Sequence, residues 1–267
     1  MGALRRLRKA KYLWYDLFAA GVFLFLFAPV IIIVLFSFHE SPRLSFPISG
    51  LSLRWYGEVL GSAVFRSAVK NTLIVATATS STAVVLGTLA SLGMTRNRSR
   101  LARWVLPLLM VPISLPALFL GIALLSYFSM LRFQLSLLTV TIGHLIYTLP
   151  YFVLVANARL ERFDMVVEEA ARDLGATPWQ VLWRVTLPII APSIIGAGIV
   201  VFALSFDEFL ITFFVIGSQS TLPMLIWSMM RRTIDPSINA ISSVLLLMSL
   251  LLVIITSRLV RVTEISL

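Results

Sequence analysis

Two adjacent acids, Asp207 and Glu208, interrupt an otherwise apolar run from Ile189 to Val215. Ionisable side chains inside so apolar a stretch are costly, and by default they point to function. A carboxylate pair there attracts a cation, or accepts a hydrogen bond from a neighbouring helix. A second candidate is the aromatic pair Trp55-Tyr56. Its ring faces would hold ammonium groups by cation–π attraction, or sit in the aromatic belt of a membrane interface. Tyr127, Tyr147 and Tyr151 are read as belt or packing residues. His39 and His144 stand alone with no metal-ligand spacing and are read as polar packing. The 267 residues include no cysteine, which excludes thiol chemistry and Cys-based metal sites. No nucleophile elbow, His-Glu metal pair or G-x-x-x-x-G-K-S/T phosphate loop occurs. The chain is therefore expected to carry no catalytic residue, metal or cofactor of its own. Energy for any work it does must come from a partner or from an ion gradient.

The elements that position these residues follow from composition. Hydrophobic residues make up 59% and charged residues 13%, and the mean hydropathy is +0.96. A typical soluble domain is about a quarter charged. A soluble fold of this size cannot bury so much apolar surface, so the pattern excludes a cytosolic enzyme, a disordered chain and a disulfide-stapled module. A spanning helix needs about 20 mostly apolar residues. Six stretches qualify: Leu13–Phe38, Ala68–Met94, Trp104–Phe128, Leu135–Asn157, Ile189–Val215 and Ile238–Ser257. The expectation is an all-α, polytopic membrane protein with six transmembrane helices, forming one domain over residues 1–267. The first stretch is too long for the core of a signal peptide and is read as an uncleaved span. Pro29, Pro107, Pro112, Pro116 and Pro150 fall inside spans, where neighbouring helices can satisfy the freed backbone.

Fifteen of the 22 Lys and Arg residues fall on one side of the membrane if the N-terminus is cytoplasmic. That bias predicts both termini inside. It also assigns the net charge of +10 to topology and anionic lipid rather than to nucleic acid. The Asn97-Arg98-Ser99 glycosylation triplet then falls in a cytoplasmic loop and is discounted.

The inside loop from Ala158 to Pro188 is longer than a hairpin requires, and it holds five of the twelve acids. Phe163, Val166, Val167, Ala170, Ala171 and Leu174 share one face at helical spacing. Asp164 is placed to cap this helix, and Gly175 to end it by a left-handed turn. Thr177 and Pro178 are the start signals of a second helix, with Val181, Leu182 and Val185 on its apolar face. Such a pair either anchors in headgroups or docks on another protein, and the small side chains of Ala170, Ala171 and Gly175 favour close docking.

Glu169-Ala170-Ala171, three residues, Gly175, nine residues, then Val185-Thr186-Leu187-Pro188 resembles the EAA loop of the permease subunits of binding-protein-dependent ABC importers. Val185 for isoleucine is the one departure. Asn71-Thr72-Leu73, Leu204-Ser205-Phe206-Asp207-Glu208-Phe209, Leu222-Pro223 and Asp235-Pro236-Ser237-Ile238-Asn239-Ala240 resemble the spermidine/putrescine branch, and its second permease subunit. The resemblance implies a type I importer permease fold with residues 158–188 as the coupling loop. It implies Glu169, Ala170, Ala171, Arg172, Gly175, Leu187 and Pro188 as the ATPase-coupling residues. It also implies Asp207, Glu208, Trp55 and Tyr56 along the substrate path. Its implied partners are a homologous permease, two ATPase subunits that bind ATP and Mg, and an outer solute-binding protein. The implied substrate is a polyamine entering the cytoplasm through the inner membrane. Ala117 stands where some polyamine permeases carry an acid, which leaves another small solute, such as an amino-acid-like compound, open. The rival class is an ion-coupled secondary carrier, which usually shows more spans and inverted repeats.

Overall fold

The computed structural model describes residues 2–42, 46–96, 100–232 and 235–265, with side chains for 14–42, 46–96, 104–232 and 235–255. The side chains of the basic head (Arg5 to Lys11), of Arg43, Arg98, Arg100, Arg103, Arg258 and Arg261, and the Asn97-Arg98-Ser99 triplet lie outside these ranges. The elements are α1 (Gly2–Phe36), α2 (Arg54–Gly61), α3 (Ala63–Arg96), α4 (Arg100–Ser114), α5 (Ala117–Met130), α6 (Leu137–Glu161), α7 (Val166–Asp173), α8 (Pro178–Val181), a π-helical turn (Leu182–Thr186), α9 (Leu187–Asp207), α10 (Leu210–Val215), α11 (Leu222–Met230) and α12 (Pro236–Ile265). Five helical stretches are long and apolar enough to cross a membrane, and a sixth forms if the bent pair α4–α5 counts as one span. No strand occurs among the described residues.

The chain divides into two compact units. One holds residues 1–62 and 228–246. There α1 is almost wholly apolar and exposed from Trp14 onward, as befits a helix surrounded by lipid. The segment after it is pinned backbone to backbone, by Ser52 N–H on the Phe38 carbonyl at 2.7 Å and Glu40 N–H on the Gly50 carbonyl at 3.1 Å. These bonds set α2, which buries Trp55 and Val59.

The other unit holds residues 63–227 and 247–267 and is built around α3, α6 and α9. Its centre follows from small residues. Ala68, Thr72, Ala76, Thr79, Ala83, Gly87 and Ser91 recur at helical spacing along α3 and are buried. Between helices in lipid the hydrophobic effect contributes little, so close packing and interhelical hydrogen bonds hold them together. Gly87 shows how close the approach is: a Cβ there would sit 2.2 Å from the Phe152 ring of α6. Ser80 Oγ donates to the Gly198 carbonyl of α9 at 2.7 Å.

Two stretches expected as continuous spans are broken. The run Trp104–Phe128 bends by 103° between α4 and α5. Pro116 disfavours helical backbone at Leu115 and itself sits extended, at φ −56° and ψ 135°. Ala117 opens α5 and packs on a cluster that includes Leu120, Leu124 and Ile211. The run Ile189–Val215 stops at Asp207, because Glu208 is extended (φ −70°, ψ 119°), and restarts as α10.

Candidate functional site

The α7–α8 end is a tight helix pair. Asp164 Oδ1 accepts the Val166 N–H at 3.0 Å, but it stands one residue before the N-cap, which is Met165, and α7 is shorter than the expected apolar stripe. Gly175 adopts φ +84°, the left-handed turn that glycine tolerates, and its N–H bonds the Arg172 carbonyl at 2.8 Å. Thr177 and Gln180 form a reciprocal capping box at the start of α8. In the π-helical turn the Leu187 N–H reaches back five residues to the Leu182 carbonyl, and Pro188, which has no N–H, follows directly.

The inward-facing residue of α7 is Glu168, which sequence reasoning passed over in favour of Glu169. Glu168 is fully buried, whereas Glu169, Ala170, Leu174 and Gly175 are exposed and Ala171 is half-buried. The Glu168 carboxylate pairs with Arg96 at the end of α3 and, at 3.0 Å, with Arg172 one turn along α7. Thr186 Oγ1 donates to it at 2.5 Å and accepts from Arg96 at 3.2 Å. Arg172, one of the coupling residues the resemblance implies, is turned back onto Glu168 with its side chain 46% exposed. The signal available in sequence was slight: an acid beside the EAA glutamate, four residues before an arginine. The apolar stripe of Val166, Val167 and Leu174 is exposed on this chain, with Leu174 at 90%. Leu187 is half-buried, and Pro188 is exposed.

At the far end of α9, Asp207 and Glu208 line one cleft of about 590 Å³ with Tyr147, Ile199, Val200, Ala203, Leu204 and Val253. On a continuous helix the two acids would point about 100° apart; the break brings them to the same opening. Asp207 accepts from Ser249 Oγ at 3.1 and 3.2 Å. Glu208 Oε1 accepts the Ile211 N–H at 2.8 Å and so caps α10. Among the described residues neither acid forms an ion pair.

His144 fixes this break. Its Nδ1 lies 2.8 Å from Ser205 Oγ and its Nε2 2.8 Å from Thr212 Oγ1. Thr212 uses its one O–H on the Glu208 carbonyl at 3.1 Å. In the neutral ring Nε2–H therefore donates to Thr212, and Nδ1 accepts from Ser205. The packing role read for His144 thus has a definite object, the join of α9 and α10.

Trp55 does not present a free ring. It is 6% exposed, its indole N–H donates to the His39 carbonyl at 2.7 Å, and the Arg54 guanidinium lies over it at 5.2 Å. Tyr56 is hydrogen-bonded to Ser37 at 2.6 Å and packs on Phe38. Both are held by their own unit. Asn71 and Thr72 tie α3 to the segment before α11, through the Ser220 carbonyl at 2.9 Å and the Leu222 N–H at 2.8 Å.

The family described as binding-protein-dependent transport system inner membrane component matches residues 83–264. The chain belongs to this family. As a member it is a multi-pass transport subunit of the inner membrane. The permease is 36% identical over 232 residues to the putrescine transport system permease protein PotI of Escherichia coli, covering 84% of this chain and 82% of the relative. It is 30% identical over 245 residues to the spermidine/putrescine transport system permease protein PotC of Escherichia coli, covering 91% and 92%. Its fold matches a bacterial ABC transporter for the acidic polysaccharide alginate at a TM-score of 0.73 and 15% identity, covering 98% of this chain and 99% of that one. The methionine transporter MetNI, inward facing, matches at 0.64 and 18% identity, covering 75% and 95%. The permease thus has the fold of an ABC transporter's membrane subunit, and the matched region includes the Glu168 cluster and the acid break.

Proposed function

We propose that the permease imports a small di- or polyamine, with putrescine as the leading substrate. It would do so with a homologous permease, two ATPase subunits and an outer solute-binding protein. The observation carrying the substrate class is the carboxylate pair Asp207–Glu208, opening on a cleft with no cation of the described chain bound to it. The relatives' names, putrescine and spermidine/putrescine permeases, point the same way. Two carboxylates beside a tyrosine suit an ammonium group, which they attract by charge and by the ring face.

The exposed α7 face supports the second half of the proposal. A short helix, its first N–H held by Asp164 and its end turned at Gly175, moves as a rigid body better than a loop would. With both termini in the cytoplasm, this face meets an ATPase. Glu169, Ala170, Ala171, Gly175, Leu187 and Pro188 then form and frame the docking element, with Arg172 acting through Glu168. Asp207 and Glu208 line the outer half of the path. Trp55 and Tyr56 act by shaping the outer segment rather than as bare ring faces. ATP and Mg belong to the partner.

The test is reconstitution of the permease with its partner subunits in proteoliposomes. ATP-dependent uptake of radiolabelled putrescine, competed by spermidine, is expected. Uptake without the ATPase subunits would favour an ion-coupled carrier. Binding-protein-dependent uptake of an amino acid but not of putrescine would overturn the substrate class.

A further inference from the structure

We infer that Glu168, Arg96 and Thr186 form the joint that carries displacement of α7 into α3 and α9, which makes Glu168 a positioning residue for transport rather than a docking contact. This rests on α7 being the element that meets the ATPase.

The joint lies where three elements converge. The backbone of α7 packs chiefly on α8 and the π-helical turn. Its tie to α3 is made by a side chain, the Arg96 guanidinium on the Glu168 carboxylate. Thr186 belongs to the turn that opens α9, and its hydroxyl bonds both members of that pair. A push on α7 therefore reaches α3 through Arg96 and α9 through Thr186. Charge-assisted bonds to a buried carboxylate are short and directional, which suits a link that must not stretch. Arg172 clamps the same carboxylate from α7 and fixes its direction. Arg96 also sits in the last turn of α3, where the helix dipole favours a cation. The adjacent glutamates thus divide the work: Glu168 faces inward and joins, while Glu169 faces outward and docks.

The absence of native cysteine allows the joint to be measured directly. Spin labels at Leu89→Cys on α3 and Asp173→Cys on α7 report the α3–α7 distance in the complex in nanodiscs. With Glu168 present, one narrow distribution is expected, unchanged between nucleotide-free and ATP-bound states. Glu168→Gln is expected to broaden it and to lower putrescine uptake per ATP hydrolysed about tenfold, the size of an ordinary coupling free energy between sites. Arg96→Gln, which leaves the Arg172 pair intact, should do the same, and Arg96→Lys should restore most of the ratio. If a variant fails to assemble, the same distance on the full chain alone decides. An unchanged narrow distribution with Glu168→Gln overturns the joint. Leu174→Cys tests the docking separately: no cross-link to an ATPase subunit overturns the docking itself. A cross-link together with unaltered coupling in Glu168→Gln overturns the joint alone.

Discussion

Glu168 at the α7 end and the Asp207–Glu208 pair at the opposite end of α9 are all carboxylates in an apolar chain, yet their surroundings differ. Glu168 is fully buried and met by two guanidiniums and a hydroxyl. Asp207 has one serine hydroxyl, and Glu208 caps a helix start; both open on a cleft. A carboxylate with three donors from its own chain and no exposed surface fixes geometry. One with lone pairs left over, facing a space large enough for a ligand, is available to a cation. Partner count, rather than the presence of an acid in a span, is what distinguishes these two environments.

The contrast can be broken by experiment, in descending order of effect on stability. Glu168→Ala leaves two guanidiniums facing each other, and a broken buried pair costs about 3–5 kcal/mol. The lower end is expected, because the Arg96 and Arg172 side chains are 37% and 46% exposed and can turn to water. Thermal melting in detergent and proteolysis of the 158–188 loop would show it. Next is His144→Phe, which leaves Ser205 and Thr212 without their ring partner. A lost buried partner costs about 1–3 kcal/mol. The melt should fall, and the break at Glu208 should loosen, read as faster hydrogen exchange in residues 208–215.

Gly175→Ala follows. A side chain at φ +84° is strained by about 1–2 kcal/mol, with nothing nearby to clash. Association with the ATPase should weaken several-fold while the melt of the remainder stays close to the parent's. The smallest effect on stability belongs to the combined Asp207→Asn and Glu208→Gln change, expected within about 0.5 kcal/mol of the parent as for most replacements outside packed networks. Its putrescine uptake should nevertheless fall about tenfold, equivalent to about 1.4 kcal/mol of lost attraction. A large loss of stability there, with uptake intact, would reverse the assignment of roles.

Local chemistry made much of the α7–α8 end readable in one dimension. Asp164, Gly175 and Thr177 act on backbone groups within three residues, so spacing alone places them. The small-residue face of α3 was not singled out in the sequence, because small residues mark a packed face but not which distant helix, here α6 and α9, comes to lie on it. The acid break was legible as two acids, but the extended Glu208 was not, because its stability depends on His144 from a helix about 60 residues earlier.

Length, hydropathy and the EAA spacing determined a many-span helical permease and marked out its 158–188 loop. These are properties of near neighbours along the chain. Only the folded chain decided that Glu168 rather than Glu169 turns inward, that Arg172 follows it, and that Asp207 and Glu208 share one opening. Each depends on which side chain from a distant helix arrives to satisfy a charge, and a charge in an apolar surrounding takes its role from the partners it finds.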